Sequence, residues 1–155
     1  MNIVVLETTL GIIKLKLFTN IAPKACFNFM ALVEKGSYNN TEFSRVIPTF
    51  MIQGGKITKV KSIFGREFED EISKSVNFAR PGVLAMANRG KNTNTTQFFI
   101  TTKPTEWLTG KHTIFGEVFG GYDTVEKISK VKRDKINKPI EPVKIIKGYI
   151  NYNVL

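Results

Sequence analysis

Cysteine and histidine are almost absent: the 155 residues hold one of each, Cys26 and His112. A single thiol excludes an internal disulfide, and one Cys with one His excludes a zinc site of the usual Cys/His kind. No metal and no cofactor is expected. Nucleophilic catalysis by a Cys-His pair would need Cys26, yet that residue lies on an apolar stripe beside Phe27 and Phe29, the setting of an inert buried thiol. Long apolar runs are missing too. Stretches such as Ile3-Val4-Val5-Leu6 fall far short of the roughly 20 apolar residues that cross a bilayer, so no membrane partner is expected. The first residues lack a basic start, an apolar block and a small-residue cleavage site, which leads to an intracellular expectation. No glycine loop ends in Lys-Ser/Thr to cradle a nucleotide phosphate, and Gly54-Gly55 alone is a weak signal.

Acidic residues are also scarce, 13 against 23 Lys plus Arg, for a formal net charge of +10. Such an excess draws nucleic acid, anionic surfaces or acidic proteins. It is concentrated in residues 127–147, where Lys127, Lys130, Lys132, Arg133, Lys135, Lys138, Lys144 and Lys147 face only Asp134 and Glu141. No aromatic residues interleave with these charges, so the segment reads as a solvated face before a nucleic-acid surface. Direct RNA binding through the same face predicts affinity that falls steeply with salt.

What is present is a core for one domain, spanning residues 1–155: 42% hydrophobic residues, with 12 Phe. Residues 3–8 are β-branched and apolar, a turn falls near Leu10-Gly11, and Ile13, Leu15 and Leu17 alternate with lysines, which predicts a hairpin. Ala22-Pro23-Lys24 opens a helix whose apolar face runs through Cys26, Phe29, Met30 and Val33 until Gly36. Residues 42–52 read as short strands broken at Pro48, and 56–82 as loop. Strands are predicted over 83–87, 97–102 and 114–119, a second helix over 122–131, and a closing strand from Val143 to Ile150. Many short strands with two helices and no internal repeat suit an antiparallel barrel capped by helices. The acidic knot Glu67, Glu69, Asp70 and Glu71 suggests a solvated loop or carboxylates holding nearby backbone amides, rather than a glycosidase pair.

One segment fits none of these chemistries: Phe43-Ser44-Arg45-Val46-Ile47-Pro48-Thr49-Phe50-Met51-Ile52-Gln53-Gly54-Gly55. It resembles the core motif of the cyclophilins, the peptidyl-prolyl cis/trans isomerases. Leu84-Ala85-Met86-Ala87-Asn88 through Asn92-Thr93-Asn94-Thr95-Thr96-Gln97-Phe98-Phe99-Ile100-Thr101 looks like their second signature, and Glu106-Trp107-Leu108-Thr109-Gly110-Lys111-His112-Thr113-Ile114-Phe115-Gly116 like their third. Ala22-Pro23-Lys24, Phe64-Gly65 and Phe68-Glu69-Asp70-Glu71 follow in family order, so the likeness runs over essentially the whole chain. It implies a mainly β fold, a closed eight-stranded antiparallel β-barrel capped by two α-helices. It implies isomerisation of X-Pro bonds in protein substrates, proline-containing peptides as partners, a cyclosporin-type ligand, no cofactor and a monomer.

Carried over residue by residue, the family's site falls on Arg45, Phe50, Met51, Gln53, Ala87, Asn88, Gln97, Phe99, Trp107, Leu108 and His112, with Arg89, Thr95 and Thr96 at a secondary pocket. The chemistry asked of them is non-covalent. An X-Pro amide must cross about 20 kcal/mol as it loses conjugation, and at the half-rotated state its nitrogen turns pyramidal and regains a lone pair. A cationic donor aimed there binds the transition state more tightly than the ground state. Arg45 is the implied donor, with the rigid, permanently charged fork that Lys lacks. Phe50, Met51, Phe99 and Leu108 with the edge of His112 are the implied socket for the proline ring. Gln53 and the backbone of Asn88 would hold the chain on either side, and Trp107 would line the rim. Outside the motif, Phe50, Met51 and Phe99 would read as core, Arg45 as surface charge, and His112, Gln53 and Gln97 as satisfied polar groups.

The chain also departs from the pattern. Ser44 stands where family members commonly carry His, and residues 56–61 replace a longer glycine-rich turn beside the substrate groove. Arg89 and Thr95 replace small residues, which predicts a preference for acidic or small side chains before the proline; equal turnover of peptides with Glu and Lys two residues before it would refute this. Gly82 to Asn88, Lys111 to Gly116 and the short Glu34-Lys35-Gly36-Ser37-Tyr38-Asn39 connection are similar to the small eukaryotic cyclophilins associated with the spliceosome, so spliceosomal proteins are expected partners. The second reading, a proline-peptide binding module with little turnover in a larger assembly, rests on the shortened turn and the basic face.

Overall fold

The computed structural model describes residues 2–152. Eight strands form one sheet: β1 (Ile3–Thr8), β2 (Gly11–Leu17), β3 (Arg45–Ile47), β4 (Met51–Gly54), β5 (Val83–Met86), β6 (Phe98–Thr101), β7 (Ile114–Gly120) and β8 (Ile145–Asn151). Two helices, α1 (Pro23–Glu34) and α2 (Tyr122–Ser129), pack against it. The strand order is β3-β4-β6-β5-β7-β2-β1-β8, and every strand pairing is antiparallel. Neither helix is long and apolar enough to cross a membrane.

The hairpin, both helices and the later strands lie where the periodicity predicts them. The closed barrel does not. The sheet curls into a half-barrel whose ends are β3 and β8, and no ladder joins those two strands among the described residues. At that junction β3 has only three residues before Pro48, which has no amide to donate, so it offers little edge for a ladder. Irregular backbone fills the gap: Phe43 N donates to Val143 O (2.8 Å) and Val46 N to Asn137 O (2.8 Å), around an isolated bridge between Glu42 and Lys144. The exposed edge of β3 is thereby blunted.

Alternation along the strands sorts side chains into two clusters. Ile52, Leu84, Met86, Phe98 and Ile100 point into the main core, where they meet Phe29, Leu32 and Val33 of α1 and Val125 and Ile128 of α2. Their neighbours Met51, Val83, Ala85 and Phe99 point the other way, joining Phe78 and Ile114 in a smaller cluster on the outer face. The candidate site stands on that outer face.

α1 starts at Pro23, but its N-cap residue Ala22 has no side chain to hold the first amides. Glu71 supplies it from the long loop, accepting from Lys24 N (3.0 Å) and Ala25 N (2.9 Å). This is the amide-holding role foreseen for the acidic knot. Residues 55–82 otherwise contain no helix or strand and are pinned by buried Phe68 and Phe78. Cys26 is buried in α1, its thiol against Phe115 O (3.4 Å).

Candidate active site

Register places much of the site in one line across the sheet. Arg45 on β3 is opposite Gln53 on β4, Gln53 is opposite Phe99 on β6, and Phe99 is opposite Ala85 on β5. Opposed residues bring their side chains to about 5 Å, so one pairing register delivers a cation, an amide and an aromatic ring side by side. The hairpin between β3 and β4 adds Phe50. Its turn has Pro48 followed by Thr49 with φ 61°, closed by Phe50 N donating to Ile47 O (3.1 Å). Proline fixes the first turn dihedral, and the left-handed second one is unusual for a β-branched residue.

Phe99 is clamped from both sides. Phe78 stacks on it (centroids 6.0 Å, planes 10° apart), and the His112 ring meets it edge-on (5.2 Å, 87°). Each such pair is worth about 0.5–1.5 kcal/mol beyond burial, which makes a rigid floor. His112 is itself oriented: its Nδ1 lies 2.9 Å from the Met86 carbonyl oxygen. A carbonyl only accepts, so Nδ1 carries the proton and Nε2 is the free ring nitrogen of the neutral form. The Asn88 amide nitrogen, 3.2 Å from Nδ1, then has no acceptor there; it donates to Lys111 O (2.9 Å) instead. Leu108 ends a single 3-10 turn, Glu106–Leu108, held by Leu108 N to Thr105 O (2.9 Å) and tied to the outer cluster by Thr105 N to Phe78 O (2.9 Å). That turn was not foreseen, because three residues carry too little periodicity to read.

These elements enclose a cavity of about 380 Å³ lined by Arg45, Phe50, Met51, Gln53, Ala87, Asn88, Phe99, Leu108 and His112. All nine were singled out in the sequence. Arg45 is its charged residue, exposed, with a guanidinium free of hydrogen bonds or ion pairs to other described residues. Two further candidates flank the cavity. Trp107 stands 62% exposed on the rim, its ring 5.8 Å from Phe50, and Gln97 accepts a hydrogen bond from Gln53 Nε2 (3.1 Å).

The secondary-pocket set is not brought together. Thr96 is 2% exposed and turned inward, its hydroxyl donating to Gly55 O (2.7 Å), so it cannot line a groove. Thr95 contributes its carbonyl to Asn28 Nδ2 (3.0 Å), and Arg89 pairs with Glu67. None of the three lines the cavity. Gln97 instead helps line a second hollow, which shares Arg45 and Gln53 with the first and includes Glu42, Lys56, Ile136 and Lys138. Among those, Lys56 belongs to the shortened 56–61 turn, while in the sequence Lys138 is legible only as one of eight basic residues. Among the described residues no three His, Cys, Asp or Glu side chains gather as metal ligands.

The family model described as cyclophilin type peptidyl-prolyl cis-trans isomerase matches residues 3–149. The chain belongs to the cyclophilins. Among cyclophilins it is 50% identical over 151 residues to a Gibberella zeae protein named peptidyl-prolyl cis-trans isomerase-like 1, covering 95% of this chain and 93% of that one. It is 49% identical over 150 residues to the Homo sapiens protein of the same name, with 94% and 90% covered. A crystal structure of a Cryptosporidium parvum cyclophilin type peptidyl-prolyl cis-trans isomerase superposes with a TM-score of 0.94 at 39% identity, over 99% of both chains. A second crystal structure of that cyclophilin was determined in the presence of the dipeptide Ala-Pro. This cyclophilin is accordingly an enzyme, a peptidyl-prolyl cis/trans isomerase acting on proline-containing peptides. The binding-only alternative is not favoured by relatives that are themselves named isomerases.

Proposed function

We propose that isomerisation takes place in the 380 Å³ cavity, with Arg45 as the catalytic residue. The observation that carries this reading is the Arg45 guanidinium, free of partners within the described chain, at the edge of a cavity walled by Met51, Phe99, Leu108 and His112. A proline ring seated against those walls leaves its nitrogen open to a donor from the β3 side. As the amide twists, that nitrogen gains electron density and the charge-assisted hydrogen bond from Arg45 strengthens. Gln53, held by Gln97, and the backbone of Asn88 anchor the substrate chain so that one flank is fixed while the other turns. No bond to the enzyme forms, and no proton needs to move. A thousandfold acceleration asks for only about 4 kcal/mol of differential binding, within reach of a few such contacts.

Exchange rates in a short Ala-Pro or Phe-Pro peptide, with the natural protein and with Arg45→Ala, test this assignment. The variant is expected to be slower by about a hundredfold, or about 2.7 kcal/mol, with the fold intact by circular dichroism. Undiminished exchange in the variant overturns the role of Arg45.

The cytoplasm or nucleus, a cyclosporin-type ligand and spliceosomal partner proteins belong to the same reading. Their support is the sequence resemblance and the basic 127–147 segment, and a cyclosporin titration with Trp107 fluorescence tests the ligand directly.

A further inference from the structure

The second hollow, of about 610 Å³, adjoins the proline cavity, sharing Arg45 and Gln53 with it as lining. A peptide leaving the cavity past those two side chains enters it, since each extended residue advances about 3.3–3.6 Å. Its charge is one-sided. Arg45, Lys56 and Lys138 contribute to the lining against a single carboxylate, Glu42, and neither lysine has an ion-pair partner among the described residues.

Lys138 sits on a built loop rather than a loose one. The Asp134 carboxylate accepts from Ile136 N (2.9 Å) and Lys138 N (3.0 Å), and Asp134 N donates to Lys138 O (2.9 Å). The loop is fastened to β3 beside Arg45 by Val46 N donating to Asn137 O (2.8 Å). Ile136, 74% exposed, adds an apolar wall for an aliphatic stem. Arg89, the cation that the sequence offered for substrate selection, already has its charge answered by Glu67.

We propose that this hollow is a specificity subsite for an acidic side chain of the substrate, two or more residues from the proline, read by Lys56 and Lys138. The proposal rests on the isomerase reading of the neighbouring cavity. Exposed charge pairs of this kind shift affinity modestly and speed encounter, and both effects weaken with salt.

The test uses one X-Pro peptide with Glu or Lys placed in turn two, three and four residues to either side of the proline, reading both kcat/KM and Kd. At one or more positions Glu is expected to be favoured over Lys by about threefold to tenfold at low salt, shrinking as salt rises. The ratio is expected to invert in the K56E/K138E double variant and to persist in Arg89→Ala. A ratio near one at every position overturns the proposal, as does a preference that survives charge reversal or disappears with Arg89. Failure of the neutral parent peptide to be isomerised would strike the cavity reading instead, and the Kd ratios would still decide the subsite.

Discussion

Gly55 shows how tightly one residue can be specified beside the site. It has φ +85°, and a Cβ built there would lie 2.7 Å from the Phe98 ring and 2.9 Å from the Thr96 carbonyl oxygen. Gly55→Ala therefore combines a left-handed backbone with a clash against a buried ring, and a loss of about 3 kcal/mol is expected in a urea titration. The Gly54-Gly55 pair was visible in the sequence as the end of a run, but its cause was not, because Phe98 and Thr96 lie more than 40 positions away. Separation in sequence also hid the inward turn of Thr96, whose partner Gly55 lies 41 positions away, and the pairing of Arg89 with Glu67, 22 positions away. The nine cavity residues were legible for the opposite reason. Strand alternation and a motif order shared with the cyclophilins put Arg45, Gln53 and Phe99 on one face without any need to know the loops.

At the scale of elements, the fold's least periodic segment does much of the positioning. Glu71 caps α1 through two backbone amides, and its own amide donates to Oγ1 of Thr113 (2.9 Å), the neighbour of the pocket wall His112. Its negative charge also lies at the positive end of the helix. Glu71→Ala is expected to lower stability by about 1–2 kcal/mol in chemical denaturation. Glu71→Gln, which keeps an acceptor, should recover part of that loss. The sequence foresaw carboxylates holding amides in this knot, whereas the helix they serve lies 46 positions earlier and was not readable from spacing. Short elements set the other limit. The strand β3 and the turn Glu106–Leu108 have three residues each, and periodicity needs more than that to speak.

For the molecule as a whole, three acidic groups titrate together in one direction. Burial pushes the Cys26 thiol from 9.0 up to about 12, with the Glu71 charge adding to it, and burial with the Glu126 contact raises Tyr122 to about 12. Burial raises the Tyr38 hydroxyl further still. A raised value in the folded state means that the unfolded chain loses these protons first. Stability is thus fully present below about pH 9 and falls as pH rises from there toward 12. Urea midpoints should be level from pH 7 to 9 and decline above it, and a thiol reagent at pH 8 should label Cys26 only as fast as the protein unfolds. The open half-barrel has a further consequence for how the protein comes into being on the ribosome. Every residue lining the proline cavity has been synthesised once His112 is made, yet the run into β3 stays unfastened until Val143, which accepts from Phe43 N, emerges just after Pro142, and β1 waits for β8. A nascent chain therefore completes all six of its own prolines before it owns a finished site for turning prolyl bonds, and cannot begin as its own first client.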